Sequence, residues 1–282
     1  MGITEGELEA NGWTFSVRSA GPEDGSPVIL LHGFPQTSRA FSNQLLALGD
    51  AGFRAVAPDQ RGYSAGARPV GVEHYQVADL MADVDAITDA LGMDTFDLVG
   101  HDWGGIVAWR YAATRPQRVR TLTSVSTPHP RALADALSGG DPDQAERSSY
   151  LSLFREPDLP EQLLLGEDGA GEGFRQMMST TGLGEEVGNY YVDVLSQPGA
   201  LTAALNWYRA TDLAVPIDIG RVVSPTMYVW STDDIALGRA AAEATAGWVE
   251  GPYRFEVLEG VSHWIPEAAP GQLNRLLLEH LG

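Results

Sequence analysis

The chain has 282 residues, no cysteine, 18 Lys plus Arg against 38 Asp plus Glu, and a formal charge of −20. A chain of this length buries roughly three quarters of the surface its unfolded form exposes, so it needs no disulfide or metal to supply a core. With 44% hydrophobic and 20% charged residues it is not a disordered chain, and its acidity, unrelieved by any basic run, excludes nucleic acid and anionic membranes as expected partners.

The N-terminal residues 1–7 lack the basic start and apolar stretch of a secretory signal, and no apolar run approaches bilayer length. A cytoplasmic protein with no membrane contact is therefore expected. Trp13 to Arg18 alternates as an early strand would, and Val28-Ile29-Leu30-Leu31 reads as a strand buried on both faces. Arg54 to Pro58 and Phe96 to Gly100 are further strand candidates. Between them Leu80, Met81, Val84, Ile87 and Leu91 recur at helical spacing, with Gly92 where a C-terminal cap belongs. Strand, helix, strand in this order builds a parallel sheet, whose ligands collect beyond the carboxyl ends of the strands.

Gly105 to Arg115 reads as the next helix, ended by Pro116, and Val119 to Val125 as the next strand. From about Thr127 to Asp212 no strand-like run occurs, and predicted helices are separated by clusters such as Ser138-Gly139-Gly140-Asp141-Pro142. Within this segment the glycine-rich stretch 166–173 reads as a solvated connection, with a gate over the site as the alternative. Alternation resumes with Thr226 to Trp230 as a strand, Arg239 to Trp248 as a helix, Tyr253 to Leu258 as a strand and Gln272 to Leu281 as a closing helix. The predicted class is α/β: a mostly parallel central sheet flanked by helices. Residues 1–127 and 213–282 form the core, and residues 128–212 a helical cap inserted after the sixth strand.

The strongest chemical signal is Gly100-His101-Asp102-Trp103-Gly104-Gly105, between a predicted strand and a predicted helix. In a nucleophile elbow of the G-x-S-x-G kind, a tight turn presents the central side chain at the sheet's carboxyl edge, and glycines avoid collisions there. The centre here is Asp102. A carboxylate is ionised at neutral pH and attacks without a base, which suits displacement at a saturated electrophilic carbon and leaves an alkyl ester on Asp102. The plain alternative is that Asp102 only caps the following helix.

Around this elbow the chain resembles the α/β-hydrolase fold family, in its aspartate-nucleophile branch of epoxide hydrolases and haloalkane dehalogenases. His32-Gly33-Phe34-Pro35 resembles that family's H-G-x-P turn, and Asp59-Gln60-Arg61-Gly62-Tyr63-Ser64 its D-x-R-G-x-G/S loop. The resemblance implies an oxyanion hole made by the backbone N–H groups of Phe34 and Trp103. It also implies a histidine base in a loop after the last strand, where Glu259-Gly260-Val261-Ser262-His263-Trp264 supplies His263. The acid that orients the base is expected after the strand Thr226 to Trp230, where the W-G-x-x-D-x-x-L-G pattern favours Asp234 and leaves Asp233 as the alternative; Ser231 stands where the pattern has glycine. His32, Trp207 and Trp264 are expected to contact substrate.

The leaving atom decides the substrate. Opening an epoxide leaves an alkoxide that needs an O–H donor, whereas a halide needs N–H groups or aromatic edges. Tyr150-Leu151-Ser152-Leu153-Phe154-Arg155-Glu156-Pro157 and Asn206-Trp207-Tyr208-Arg209 are similar to the two segments of epoxide hydrolases that carry the ring-opening tyrosines. The resemblance thus implies Tyr150 and Tyr208 as paired donors and a small-molecule epoxide as substrate. The dehalogenase alternative is weakened because Phe34 occupies the x of H-G-x-P, where a halide-binding Asn often stands. A ligand-binding protein with a hydrolase-like pocket is the third reading, opposed by a filled catalytic triad. None of the six histidines has zinc spacing, so no metal and no cofactor is predicted. A homodimer is compatible with the sequence.

Overall fold

Buried apolar runs and amphipathic stretches assemble into one eight-stranded sheet with helices on both faces, seen in a computed structural model that describes residues 2–166, 169–216 and 219–282. The first part of the chain forms β1 (Thr4–Ala10), β2 (Trp13–Ala20), β3 (Ser26–Leu31), α1 (Ser42–Asp50), β4 (Phe53–Pro58), α2 (Val77–Ala90), β5 (Phe96–His101), α3 (Trp103–Thr114) and β6 (Val119–Val125). Then follow α4 (Pro130–Ser138), α5 (Pro142–Arg147), α6 (Tyr150–Arg155), α7 (Leu159–Leu165), α8 (Glu172–Thr180), α9 (Glu185–Leu195) and α10 (Ala200–Ala210). The chain closes with β7 (Thr226–Asp233), α11 (Arg239–Ala244), β8 (Tyr253–Ser262), α12 (Ile265–Ala268) and α13 (Pro270–Leu281).

The strand order is β1-β2-β4-β3-β5-β6-β7-β8, antiparallel only where β2 meets β1 and β4. The pairs from β4 across to β8 are parallel, so β3, β5, β6, β7 and β8 all end at the same edge. Central strands carry continuous apolar runs because helices cover both their faces: Val28 to Leu31 and the whole of β5 are buried. On one face the core continues through α2 and α3 into the helices between β6 and β7, joining Leu98, Val107 and Trp109 to Phe174, Tyr191 and Trp207. On the other, α1 and α13 pack Leu45, Leu48, Leu273 and Leu277 against Val28, Leu30 and Val99.

The α/β expectation is met, with local differences. Strand β1 was not anticipated: Thr4-Glu5-Gly6-Glu7-Leu8-Glu9-Ala10 is an exposed edge strand, so it shows no buried run. Helix α3 begins at Trp103 rather than Gly105, because its first hydrogen bonds run from Gly105 N and Ile106 N to the Asp102 carbonyl. The helix expected from Arg239 changes at Thr245 into a 3-10 turn ending at Trp248. Of the glycine-rich stretch 166–173, residues 167 and 168 lie outside the described residues. No helix among the described residues is long and apolar enough to cross a membrane.

With a charge of −20, the folded protein repels itself, and added salt screens that repulsion. Raising sodium chloride to ~1 M shortens the Debye length to about 3 Å and is expected to raise Tm in a thermal melt. A fall in Tm would mean that surface pairs such as Arg115–Asp85 and Arg254–Glu279 outweigh the net repulsion.

Candidate active site

Turns at the common strand edge bring the chemistry-bearing residues together. Asp102 follows β5 with φ +51° and ψ −121°, a strained conformation for a residue with a side chain. Its carboxylate does not cap α3; Phe34 N donates to Oδ1 at 2.8 Å, and the Trp103 N–H also reaches the carboxylate. Two glycines make this approach possible. A Cβ on Gly33 would lie 2.2 Å from Asp102 Oδ1, and one on Gly104 would lie 2.0 Å from the Leu31 carbonyl oxygen.

His263, at the end of β8, turns Nε2 toward Asp102 Oδ2 at 3.5 Å and Nδ1 toward Asp234 Oδ2 at 2.8 Å. The other Asp234 oxygen accepts from Ala236 N at 2.8 Å and Leu237 N at 2.9 Å, which fixes the carboxylate's direction. Asp234 is fully buried, whereas Asp233 is exposed and takes a bond from the neighbouring Thr232 hydroxyl, so it is Asp234 that meets the imidazole. Burial alone would lower the His263 pKa, but Asp234 and then Asp102 overcome it and raise it to about 10. Burial would likewise raise the Asp102 carboxyl; His263 holds it below its ordinary value instead.

Above Asp102 lies a cavity of about 400 Å³, whose floor includes Phe34, His263 and Trp264 and whose roof includes Tyr150, Phe154, Met177 and Tyr208. Among the described residues, Asp102 and His263 are the only acid–base groups in its wall apart from the two phenols. The Tyr150 and Tyr208 rings are 6.3 Å apart, centre to centre, and nearly perpendicular. Burial, reinforced by the Asp102 charge, pushes both hydroxyls well above the usual phenol range, so they remain donors. The Trp103 ring packs edge-on against Tyr208, the ring centres 5.0 Å apart.

Trp264 lines the cavity, but His32 and Trp207 do not, which corrects their expected contact with substrate. The His32 ring instead ties two loops together, accepting from Gln60 N at 3.0 Å on Nε2 and facing the Gly33 carbonyl on Nδ1. Trp207 is buried behind Trp103 and donates to the Arg61 carbonyl at 3.0 Å. Both aromatic groups are spent on packing and backbone bonds.

Several supporting residues carried no sequence signal. Ser126, after β6 and at φ +65°, donates its hydroxyl to the His263 carbonyl at 2.8 Å; that carbonyl is also met by His101 Nε2 at 3.0 Å and Ile265 N at 2.9 Å. From α5, Gln144 accepts from Gly238 N at 2.8 Å and donates to the Ala236 carbonyl at 2.9 Å, while Arg147 donates to the Asp234 carbonyl. These bonds join elements far apart in the chain. Among the described residues no group of three or more His, Cys, Asp or Glu could hold a metal ion.

A family profile described as alpha/beta hydrolase fold matches residues 26–270. The AB hydrolase superfamily protein YfhM of Bacillus subtilis is 37% identical over 283 residues, covering 97% of this chain and 96% of that protein. Epoxide hydrolase 4 of Mus musculus is 33% identical, with 96% of this chain and 77% of that protein covered. Epoxide hydrolase A of Mycobacterium tuberculosis is 30% identical, with 99% and 97% covered. Among solved structures, one of the novel epoxide hydrolases from metagenomes of hot environments superposes with a TM-score of 0.88 at 29% identity, covering 100% of this chain and 99% of that one. Epoxide hydrolase A from Mycobacterium thermoresistibile gives 0.84 at 27% identity, with 99% and 98% covered.

The elbow geometry predicts that Gly104→Ala costs at least ~3 kcal/mol or prevents folding, since the obstruction is backbone. Gly271→Ala is the control, because a Cβ there meets nothing within 4 Å. Urea denaturation of the two variants makes the comparison; equal stability would refute the close-approach argument.

Proposed function

The chain belongs to the alpha/beta hydrolase fold family, and we propose that within it the protein is an epoxide hydrolase, converting an epoxide to a vicinal diol through an ester on Asp102. The observation that carries this reading is the pair of protonated phenols, Tyr150 and Tyr208, in the same apolar cavity as the Asp102 carboxylate. An anionic nucleophile and O–H donors at one small site match the two ends of a ring opening. In this reading residues 128–212 are the cap that carries the phenols, and residues 1–127 and 213–282 the core that carries the triad.

Asp102 Oδ2 attacks one epoxide carbon, the carbon–oxygen bond breaks, and the departing oxygen takes a proton from a tyrosine. A hydroxyalkyl ester results. Its carbonyl oxygen occupies the place of Oδ1, within reach of the Phe34 and Trp103 N–H groups. His263 then removes a proton from water as the hydroxide attacks the ester carbon, and those N–H groups receive the negative charge of the tetrahedral intermediate. Collapse breaks the ester bond, the remaining proton of the attacking water passes to the leaving alkoxide to give the diol, and Asp102 returns to its carboxylate while His263 keeps the proton it has taken, as in the resting enzyme. No cofactor enters this balance.

The charge pattern makes the two steps follow in order. In the resting enzyme two carboxylates raise the His263 pKa to about 10, so the imidazole is protonated at neutral pH. Forming the ester removes the Asp102 charge and its hydrogen bond, and the His263 pKa falls accordingly. The imidazolium then returns its proton to the tyrosinate left by ring opening, so the base becomes available only after the nucleophile has reacted. Halide displacement has less support, because the Phe34 side chain has no N–H.

Single turnover of styrene oxide in water enriched in heavy oxygen is expected to label Asp102 before the diol; label passing directly into the diol would remove the ester from the scheme. His263→Gln should still form the ester and accumulate it, detectable by intact-protein mass, and sustained turnover by that variant would exclude His263 as the base.

Tyr150→Phe and Tyr208→Phe should each slow ester formation roughly a hundredfold, the order of magnitude for one lost donor, with ester hydrolysis nearly unaffected. Stopped-flow fluorescence separates the two phases. A defect confined to the second phase would reassign the phenols.

A further inference from the structure

His101 is fully buried beneath the catalytic base, its ring centre 4.9 Å from that of His263, and both its nitrogens are engaged. Nε2 lies 3.0 Å from the His263 carbonyl oxygen, which can only accept, so Nε2 carries a hydrogen. Nδ1 lies 2.8 Å from Gln36 Oε1, and Gln36 Nε2 lies 2.5 Å from Glu267 Oε2. The other Glu267 oxygen accepts the Tyr191 hydroxyl at 2.7 Å.

With the amide in this orientation, every bond is satisfied only when His101 is an imidazolium and Glu267 a carboxylate. A half-turn of the Gln36 amide exchanges its oxygen and nitrogen and reverses the requirement. His101 Nδ1 then accepts from the Gln36 N–H, and Glu267 must donate a hydrogen to the Gln36 oxygen. Both arrangements hold the same number of protons, so the surroundings choose between them.

The surroundings favour the second. Burial, and then the neighbouring His263, bring His101 down to about 4 against the opposing pull of Asp102 and Asp234. Burial raises the Glu267 carboxyl, outweighing its bonds from Tyr191 and Gln36 and the more distant Arg39. Arg39 is itself held over the Tyr190 ring at 4.2 Å and lies 3.8 Å from Glu186. An imidazolium at His101 would also face the protonated His263 across a tilted ring contact of 4.9 Å.

We propose that Glu267 carries a proton in the resting enzyme and that Gln36, donating to His101, holds His101 as a neutral Nε2–H tautomer beneath His263. Glu267 and Gln36 are then positioning residues that act through His101. They supply an uncharged donor to the His263 carbonyl and keep a second cation away from the base. The kinetic part of this inference rests on His263 acting as proposed above; the protonation states do not.

Two spectroscopic measurements test the states directly on the full chain at neutral pH. The infrared difference between wild type and Glu267→Gln should show the carbonyl stretch of a protonated carboxylic acid, and carboxylate bands in its place would overturn the proposal. Nitrogen-15 spectra of the histidines should give His101, assigned with His101→Gln, one protonated and one bare nitrogen; an imidazolium pattern would overturn it, and this measurement stands on the wild type if the variant does not fold. In kinetics, Glu267→Ala should slow ester hydrolysis by at least about tenfold and shift its pH profile, while Glu267→Gln, which can donate as the protonated acid does, should restore the rate to within about threefold of wild type. Failure of Gln to restore what Ala loses would overturn the positioning role, whereas absence of any epoxide turnover by the wild type would count against the function and leave the spectroscopic result intact.

Discussion

The molecule is organised around a negative charge held out of water at a strand end. An unpaired carboxylate in such a place would take up a proton, because burial disfavours its charged form. Asp102 remains ionised because Phe34 N, Trp103 N and His263 all face it. Each of these contacts depends on the parallel sheet. Phe34 follows β3, Asp102 follows β5 and His263 follows β8, and only a shared carboxyl edge brings them within bonding distance. The backbone at Asp102 bears strain for this placement, and Gly33 and Gly104 leave room for it.

The helices between β6 and β7 complete the site with an apolar roof. Leu153, Phe154, Leu164 and Met177 line the cavity beside Tyr150 and Tyr208, and a continuous hydrophobic cluster joins this roof to the sheet. Excluding water strengthens each hydrogen bond to the reacting oxygen and keeps the phenols protonated. Among the described residues, no lysine or arginine lines the cavity.

Much of this was legible in the sequence, for reasons that differ by residue. Val28 to Leu31 announces a doubly covered strand because burial on both faces removes any need for alternation, and the glycines around Asp102 mark a turn too tight for side chains. Strand β1 escaped notice because an exposed edge can be built from glutamates. The W-G-x-x-D-x-x-L-G pattern favours Asp234 without excluding Asp233; the end of β7 turns Asp233 outward and Asp234 toward His263. His32 and Trp207 were misread because their motifs locate them near the site without saying which way a ring faces. Ser126, Gln36 and Gln144 have ordinary neighbours in the chain, and their importance comes from partners more than 60 residues away.

The grip of α5 on the segment from Asp234 to Gly238 has a mechanical corollary. Gln144 and Arg147 hold that segment by its backbone, so a roof that swung away with α5 would tear those bonds or drag the segment with it. The carboxylate that steers the imidazole is thus moored to the roof as well as to the sheet. The direction in which Asp234 meets His263 therefore depends on the seating of α5 as well as on the end of β7.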